Sequence, residues 1–237
     1  MLSACLLAQT EISSSTVLRH FVVDGGWITW FVLIPLSVIT VALAVHYLLT
    51  IRRGTLAPLT LTRALVSAAR QGQVRSILEV TRDDETMLAQ AAQAAMERIP
   101  AGRDAARAAL DEAVEAQATR LFRRIEYLNV IGNVSPMIGL FGTVVGMIQA
   151  FNRIFAAGGG MPDPSKLAGD IAVALVTTFW GLLIAIPALS CYALFRNRID
   201  AFAAECVRLC DGMIAAVAQH EDGERAPTET LAVGRGV

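Results

Sequence analysis

Residues 128–151, LNVIGNVSPMIGLFGTVVGMIQAF, and residues 171–195, IAVALVTTFWGLLIAIPALSCYALF, decide the fold of this chain. Both stretches are apolar, and neither contains Asp, Glu, Lys or Arg. A helix rises about 1.5 Å per residue, so about 20 apolar residues cross a hydrocarbon core about 30 Å thick. Each stretch is therefore predicted to be a transmembrane helix. The regularly spaced Gly, Pro and Thr within them indicate helices that pack closely on each other around a polar path.

A third apolar stretch, residues 27–49, is long enough to span as well. It begins with Trp27 and Trp30, a residue type that is common at membrane interfaces. The chain has 237 residues, of which 54% are hydrophobic, and a mean hydropathy of +0.52. These values indicate a polytopic membrane protein in contact with the lipid bilayer. The balance of 20 basic and 21 acidic residues gives no indication of nucleic-acid binding.

The basic residues predict the orientation of the chain. Twelve arginines lie between the first and second spans, and Arg196 and Arg198 follow the third span directly. On the opposite side there are only Arg19, Arg153 and Lys166. By the positive-inside rule, the N-terminus and the short connection between the second and third spans face outward, and the C-terminus faces the cytoplasm.

Apolar periodicity predicts that the second and third spans extend beyond the membrane. From Arg103 to Leu128, apolar residues recur at steps of three and four with no helix breaker before the membrane. After Arg198 a similar stripe continues to about His220. The predicted fold is an all-α membrane protein with three transmembrane helices, the second and third of which extend into a cytoplasmic helical bundle.

The sequence predicts the following order of segments. They are a periplasmic N-terminus with a short interfacial helix (1–26), the first transmembrane helix (27–49), a cytoplasmic helical region (50–127), the second transmembrane helix (128–155), a periplasmic loop (156–163), the third transmembrane helix (164–195), a cytoplasmic helix (196–220) and a disordered tail (221–237).

Small residues form a predicted packing seam in the second and third spans. In the second span they follow each other at alternating steps of four and three residues, which places them on one helical face. We predict that the seam contains Gly132, Pro136, Gly139, Gly142, Gly146, Gly181 and Pro187. Thr143 lies on the same face but differs chemically, because its hydroxyl can bond its own backbone, water or a neighbour.

Polar residues of the third span are the other candidates for a functional path. Asp170 lies near the predicted outer end, where it is either a carboxylate favoured by the positive end of the helix macrodipole or part of the path. Thr177 and Thr178 lie deeper, where hydroxyls are costly unless they are hydrogen-bonded. Because adjacent helical residues point to different faces, one threonine can line a path while the other packs.

Nothing in the sequence indicates an enzyme. There is no Gly-rich nucleotide loop, no Ser/His/Asp or Cys/His grouping, and no indication of paired carboxylates in a cleft. Cys206 and Cys210 share a helix face, but a lone C-x-x-x-C is weak support for a metal site. We therefore expect no catalytic, cofactor-binding or metal-binding residues.

Two motifs resemble those of the ExbB/TolQ proton-channel proteins, which are relatives of the flagellar stator protein MotA. The motifs are IGLFGTVVG at residues 138–146 and ALVTTFWGLLIAIPA at residues 174–188. The resemblance implies a homopentamer of three-span subunits in the inner membrane of a double-membraned bacterium. It further implies a pore, lined by the second and third spans, that holds two copies of a one-span partner similar to ExbD or TolR.

The resemblance also implies residue roles. Thr143 and Thr178 match the pore-facing threonines of the family, whereas Val173 stands where relatives often have glutamate. Asp170, about one turn earlier, is a candidate to replace that charge. Since the span interiors offer only hydroxyls, we expect the group that carries the proton to be an intramembrane Asp of the partner.

The expected function is that of a pore-forming stator subunit that energises outer-membrane transport with the proton-motive force. One alternative is a TolQ-like motor for envelope integrity or gliding motility. An alternative of a different class is a non-conducting membrane scaffold. MotA-type flagellar stators are a more distant match, because they have four spans and a larger cytoplasmic domain.

Overall fold

The computed structural model describes residues 26–51, 58–158, 160 and 163–233, with side chains described as far as residue 220. Within these ranges the regular secondary structure is helical and contains no strand. The predicted interfacial helix of the N-terminal segment lies outside the described residues.

Six helices account for most of the described chain. They are α1 (Gly26–Thr50), α2 (Leu59–Arg70), α3 (Val74–Thr81), α4 (Met87–Arg98), α5 (Arg103–Ala156) and α6 (Pro164–Val233). A turn of π-helix, Thr29–Leu33, lies within α1. A short 3₁₀ turn, Ile99–Ala101, precedes α5.

Three of these helices, α1, α5 and α6, are long and apolar enough to cross a membrane. The 18-residue windows that qualify have mean hydropathies of 2.4, 1.6 and 2.2. This confirms the predicted fold class, an all-α multi-pass membrane protein in which the second and third spans belong to much longer helices. The orientation of the termini stays a prediction from the distribution of basic residues.

Local sequence explains where the long helices begin. Gly102 has a φ of +108°, which a residue with a side chain rarely adopts, and it separates the 3₁₀ turn from α5. At the start of α6, Pro164 occupies the first helical position, and Asp163 Oδ1 accepts a hydrogen bond of 3.0 Å from the Ser165 amide. Asp163 therefore caps the N-terminus of α6.

The end of α6 differs from the expectation of a disordered tail from residue 221. The backbone is helical as far as Val233, and residues 234–237 lie outside the described part of the chain. Extending an existing helix adds one hydrogen bond for each residue fixed, so a polar composition does not by itself end it.

The chain divides into two compact units. The first comprises Met1–Val45 and Glu126–Tyr192, and the second comprises His46–Ile125 and Ala193–Val237. The first unit holds most of the apolar lengths of α1, α5 and α6. The second unit holds the short helices α2, α3 and α4.

The second unit has a core of amphipathic helices. α2 packs on α3 and α3 on α4, and the faces they bury carry residues such as Leu65, Ile77 and Leu88. The Thr86 hydroxyl caps α4 by accepting a hydrogen bond of 3.3 Å from the Ala89 amide. The cytoplasmic helical region expected from the periodicity is thus a set of packed helices with its own apolar core.

Polar contacts also join the long helices within the second unit. Arg107 of α5 and Asp211 of α6 form an ion pair with an N–O distance of 3.2 Å. The His220 ring nitrogen Nε2 lies 2.8 Å from the Arg70 carbonyl oxygen, which ties α6 to α2. Exposed surface ion pairs contribute little stability, so the buried apolar residues hold this unit together.

Candidate functional site

In the first unit, the backbones of α5 and α6 approach each other at Gly139 and Gly181. A Cβ added to Gly181 would lie 2.7 Å from the Ser135 carbonyl oxygen and 3.1 Å from the Gly139 Cα. A Cβ added to Gly139 would lie 3.0 Å from the Thr177 carbonyl oxygen. A side chain at either position would meet backbone atoms that cannot turn aside, so the two helices would have to move apart.

Further glycines of α5 continue this close approach in both directions. A Cβ on Gly146 would lie 2.8 Å from the Ala174 Cβ, and one on Gly132 would lie 2.5 Å from the Leu189 Cγ. A Cβ on Gly142 would overlap the Thr177 side chain. The five glycines of the predicted seam thus all lie where α5 meets α6.

The two prolines of the predicted seam differ in burial. Pro136 is half-buried, and Pro187 is exposed. Pro187 follows Gly181 by six residues, which is about 240° around a straight helix. Their part in the seam stays a prediction.

Thr177 belongs to the packing between the helices. Its side chain is 1% exposed and lies under Gly142. The hydroxyl donates a hydrogen bond of 2.8 Å to the Ala174 carbonyl and lies 3.4 Å from the Gly139 carbonyl. A hydroxyl satisfied in this way is a stable part of a buried interface.

Thr143 and Thr178 lie at the edge of the same interface and are both half-buried. The Thr178 hydroxyl is 3.4 Å from the Gly139 carbonyl oxygen, across the interface from its own helix. Thr143 lies one turn beyond Gly139 on α5, and its hydroxyl donates a hydrogen bond of 2.7 Å to the Leu140 carbonyl. The two threonines therefore place hydroxyls about one turn apart on neighbouring helices, partly open to the surface.

Such hydroxyls can serve either protonation state of a carboxyl group. While each donates its proton to a backbone carbonyl, its oxygen lone pairs remain able to accept a hydrogen bond from a neutral carboxylic acid. If the hydroxyl rotates away from that carbonyl, it can instead donate to a carboxylate. The arrangement suits a group that alternates between charged and neutral forms.

Asp170 forms an ion pair with Arg153 of α5. The Arg153 guanidinium contacts both carboxylate oxygens through Nε and Nη2, and the Nη2–Oδ1 distance is 3.2 Å. The Asp170 side chain is 10% exposed and that of Arg153 is 47% exposed. This bidentate ion pair joins α5 and α6 at the end where the short loop connects them.

This ion pair bears on the role predicted for Asp170. In the sequence Arg153 appears only as a basic residue of the outer side, and its pairing with Asp170 was not predicted. The sequence did hold one indication of this pairing, because both residues lie close to the short connection between the two spans. A carboxylate held by a guanidinium at the end of the helix pair is less suited to replace the missing glutamate.

The position of that missing glutamate faces α1. Val173 is half-buried, and its Cγ1 would lie 3.0 Å from a Cβ placed on Gly26, the first residue of α1. Gly26 has a φ of +68°. The start of the first span therefore packs against α6 at Val173, and a small apolar side chain fits this contact.

Sequence reasoning also missed a polar ladder on α5. We define the ladder as Glu126, Asn129 and Asn133. The Asn129 amide donates a hydrogen bond of 2.8 Å to Glu126 Oε1, and the Asn133 amide donates one of 2.8 Å to the Asn129 carbonyl. The Tyr192 hydroxyl of α6 lies 3.4 Å from Glu126 Oε2. The signal in the sequence was a pair of asparagines four residues apart in an otherwise apolar stretch.

The described residues contain no group of three or more His, Cys, Asp or Glu side chains that could hold a metal ion. Cys206 and Cys210 are both buried on α6. Their common face packs into the core of the second unit.

Comparison with known proteins connects this geometry to a family. The model of the MotA/TolQ/ExbB proton channel family matches residues 63–207, which is more than half of the chain. This range includes the glycine seam, the three threonines, the Arg153–Asp170 pair and the polar ladder.

Individual relatives match shorter stretches. The biopolymer transport protein exbB1 of Vibrio cholerae is 44% identical over 66 residues, which cover 28% of each chain. The Tol-Pal system protein TolQ of Haemophilus influenzae is 37% identical over 93 residues, which cover 39% of this chain and 40% of TolQ. The biopolymer transport protein ExbB of Salmonella typhimurium is 38% identical over 95 residues, which cover 40% of this chain and 38% of ExbB. The chain therefore matches well under two thirds of the length of each relative.

Replacing Gly181 by Ala tests the close approach of α5 and α6. We expect Gly181→Ala to lower the stability of the purified protein by about 1–3 kcal/mol, because the added methyl group meets backbone atoms that must move apart. The matched control is Gly169→Ala, also in α6, where nothing lies within 4 Å of the added Cβ. Thermal unfolding in detergent measures both variants, and equal melting temperatures for them would contradict the account.

Exchanging the partners of the ion pair tests the contact of Arg153 with Asp170. We expect Asp170→Asn to lower the melting temperature, because it leaves the guanidinium without its carboxylate. The exchange Arg153→Asp with Asp170→Arg should recover part of the loss. If the single variants at Arg153 and at Asp170 both keep the wild-type melting temperature, the ion pair does not join the helices.

Proposed function

The chain belongs to the MotA/TolQ/ExbB proton channel family, and from this membership we propose that it is the channel-forming subunit of an inner-membrane motor driven by protons. The observation that carries the proposal is the placement of Thr143 and Thr178 at the open edge of the glycine seam. We propose that a partner helix seated against α5 and α6 meets their hydroxyls.

The distribution of charge supports a moving group supplied by a partner. No Asp, Glu, Lys or Arg occurs in residues 128–151 or 171–195. Asp170 is engaged by Arg153, and Glu126 precedes the second span. A proton that crosses a low-dielectric layer needs a group that binds and releases it, so the middle of the path requires a carboxyl group from another chain.

We propose that this partner is a one-span protein similar to ExbD or TolR with an intramembrane Asp. In its charged form the carboxylate is held by hydrogen bonds from the Thr143 and Thr178 hydroxyls. Once protonated, it loses most of its desolvation penalty and can leave the two threonines and move past the apolar wall. Alternation between the two forms converts proton flow into stepping or rotation of the partner.

The subunit is proposed to act as a homopentamer around two partner copies. Large apolar side chains on the spans are exposed in the single chain, for example Phe155 at 90%, Met137 at 68% and Ile186 at 66%. Such surfaces suit lipid or neighbouring copies of the subunit.

The names of the relatives support two candidate processes that the motor could drive. The names of the Vibrio cholerae and Salmonella typhimurium relatives refer to biopolymer transport, and we favour energised outer-membrane transport. The match to TolQ of the Tol-Pal system favours envelope maintenance as the second candidate. A reading frame beside the gene that encodes one apolar span with an Asp, followed by a periplasmic domain, would identify the client.

Replacing both threonines by valine tests the proposed function. The wild-type subunit is purified with the one-span partner and reconstituted into liposomes that contain a pH-sensitive dye. A potassium diffusion potential then drives proton flux. We expect Thr143→Val with Thr178→Val to lower the flux at least about tenfold, because a positioned proton-transfer group commonly contributes that much or more.

The matched control is Thr40→Val in α1. Thr40 is a buried threonine whose hydroxyl donates to the Leu36 carbonyl at 2.8 Å. Its replacement should leave the flux unchanged. Normal flux in the Thr143/Thr178 double variant contradicts the role of these threonines. A wild-type complex with no flux, or with no one-span partner, indicates a non-conducting scaffold instead.

A further inference from the structure

The polar ladder of Glu126, Asn129 and Asn133 is placed where an ordinary membrane helix would carry apolar side chains. If the second span begins near residue 128, Asn133 lies about 7.5 Å inside it, because the helix rises about 1.5 Å per residue. Its side chain is exposed in the single chain. An amide that faces hydrocarbon loses its hydrogen bonds to water, so this position needs a polar environment.

The ladder is ordered by its own hydrogen bonds. The Asn133 amide nitrogen lies 2.8 Å from the Asn129 carbonyl oxygen and 2.9 Å from Asn129 Oδ1. The Asn129 amide in turn donates to Glu126 Oε1 at 2.8 Å. The chain of contacts therefore begins inside the span and ends at a carboxylate. Exposed oxygens along it can bind water.

The ladder lies on the open side of α5. On a straight helix Asn133 is about 180° from Gly142, a residue of the seam, so it points away from α6. Asn129 is about 40° from Thr143 around the helix axis, although it comes about four turns earlier on α5. The ladder and the proposed threonine site therefore adjoin one open face, with an apolar stretch between them.

That intervening stretch has no polar side chain on this face. Met137 and Leu140 lie there and are 68% and 62% exposed. A proton cannot pass such a wall on the fixed side chains of α5. It must be carried past it by a mobile group and then released where polar side chains begin again.

We propose that the ladder is the release site for protons at the Glu126 end of the path, where Asn133 and Asn129 hold water and Glu126 accepts the proton. This inference rests on the proposed function. A carboxylic acid that reaches Asn133 gives its proton to bound water and becomes a carboxylate. The proton passes through that water to the Glu126 carboxylate, which becomes a carboxylic acid. Glu126 then releases the proton to bulk water and recovers its charge, while both amides keep their protonation state.

Two variants test the proposal in the same proton-flux assay of the reconstituted complex. Asn129→Leu with Asn133→Leu removes the polar side chains inside the span. Glu126→Gln keeps an acceptor for the Asn129 amide but cannot bind the proton. We expect each variant to lower the flux at least about tenfold with the partner still bound, because both remove a positioned proton-transfer element.

Ser190→Ala is the matched control. Ser190 is also exposed on a span, and its hydroxyl donates a hydrogen bond of 2.7 Å to the Ile186 carbonyl of its own helix. Its replacement should leave the flux at the wild-type level. A loss of flux in this control equal to that of the ladder variants would show that any polar group on the span surface matters, and would overturn the proposal.

The outcomes separate this inference from the proposed function. Normal flux in Glu126→Gln overturns the release site, even if the Thr143/Thr178 variant is inactive. Loss of the oligomer in the double Leu variant, together with normal flux in Glu126→Gln, assigns the ladder to contacts between copies. A wild-type complex without flux overturns both proposals. Reduced flux in Glu126→Gln with a wild-type oligomer supports the release site.

Discussion

The contact between the backbones of α5 and α6 at Gly139 and Gly181 is the constraint on which the first unit depends. Because neither residue has a Cβ, the two helices meet at their main chains. This closeness buries Thr177 between them and leaves Thr143 and Thr178 at the edge. A bulkier residue at either glycine would push the helices apart and alter the spacing of the two threonine hydroxyls.

The middle of the second and third spans contains no charged residue, and the charged residues lie at the two ends. At one end of the helix pair Asp170 is held by Arg153, and at the other end Glu126 anchors the polar ladder. Between these ends the spans carry hydroxyls, amides and apolar side chains. A fixed charge in the middle would be costly in a low-dielectric layer, whereas a group that is neutral while it moves avoids most of that cost.

The sequence predicted the helices well because their signals are local. Apolar length defines the three spans, Gly102 and Pro164 mark the starts of the long helices, and the spacing of small residues indicates the face of α5 that meets α6.

Other features could not be read from local patterns. The partner of Asp170 is 17 residues away across the loop and depends on how the two helices align. The sequence placed Thr177 and Thr178 on different helical faces, and the close approach at Gly142 shows that Thr177 is the buried one. The polar ladder was not predicted because Asn129 and Asn133 are uncharged and do not interrupt the apolar length that defines a span.

Crosslinking from position 143 tests most directly the central claim that the open edge of the α5–α6 pair receives a carboxylate-bearing helix. A photoreactive amino acid replaces Thr143, the complex is illuminated in membranes, and the adducts are identified by mass spectrometry. The account predicts a crosslink to the transmembrane segment of the one-span partner, close to its Asp. Adducts with lipid or with other copies of this subunit alone would contradict it.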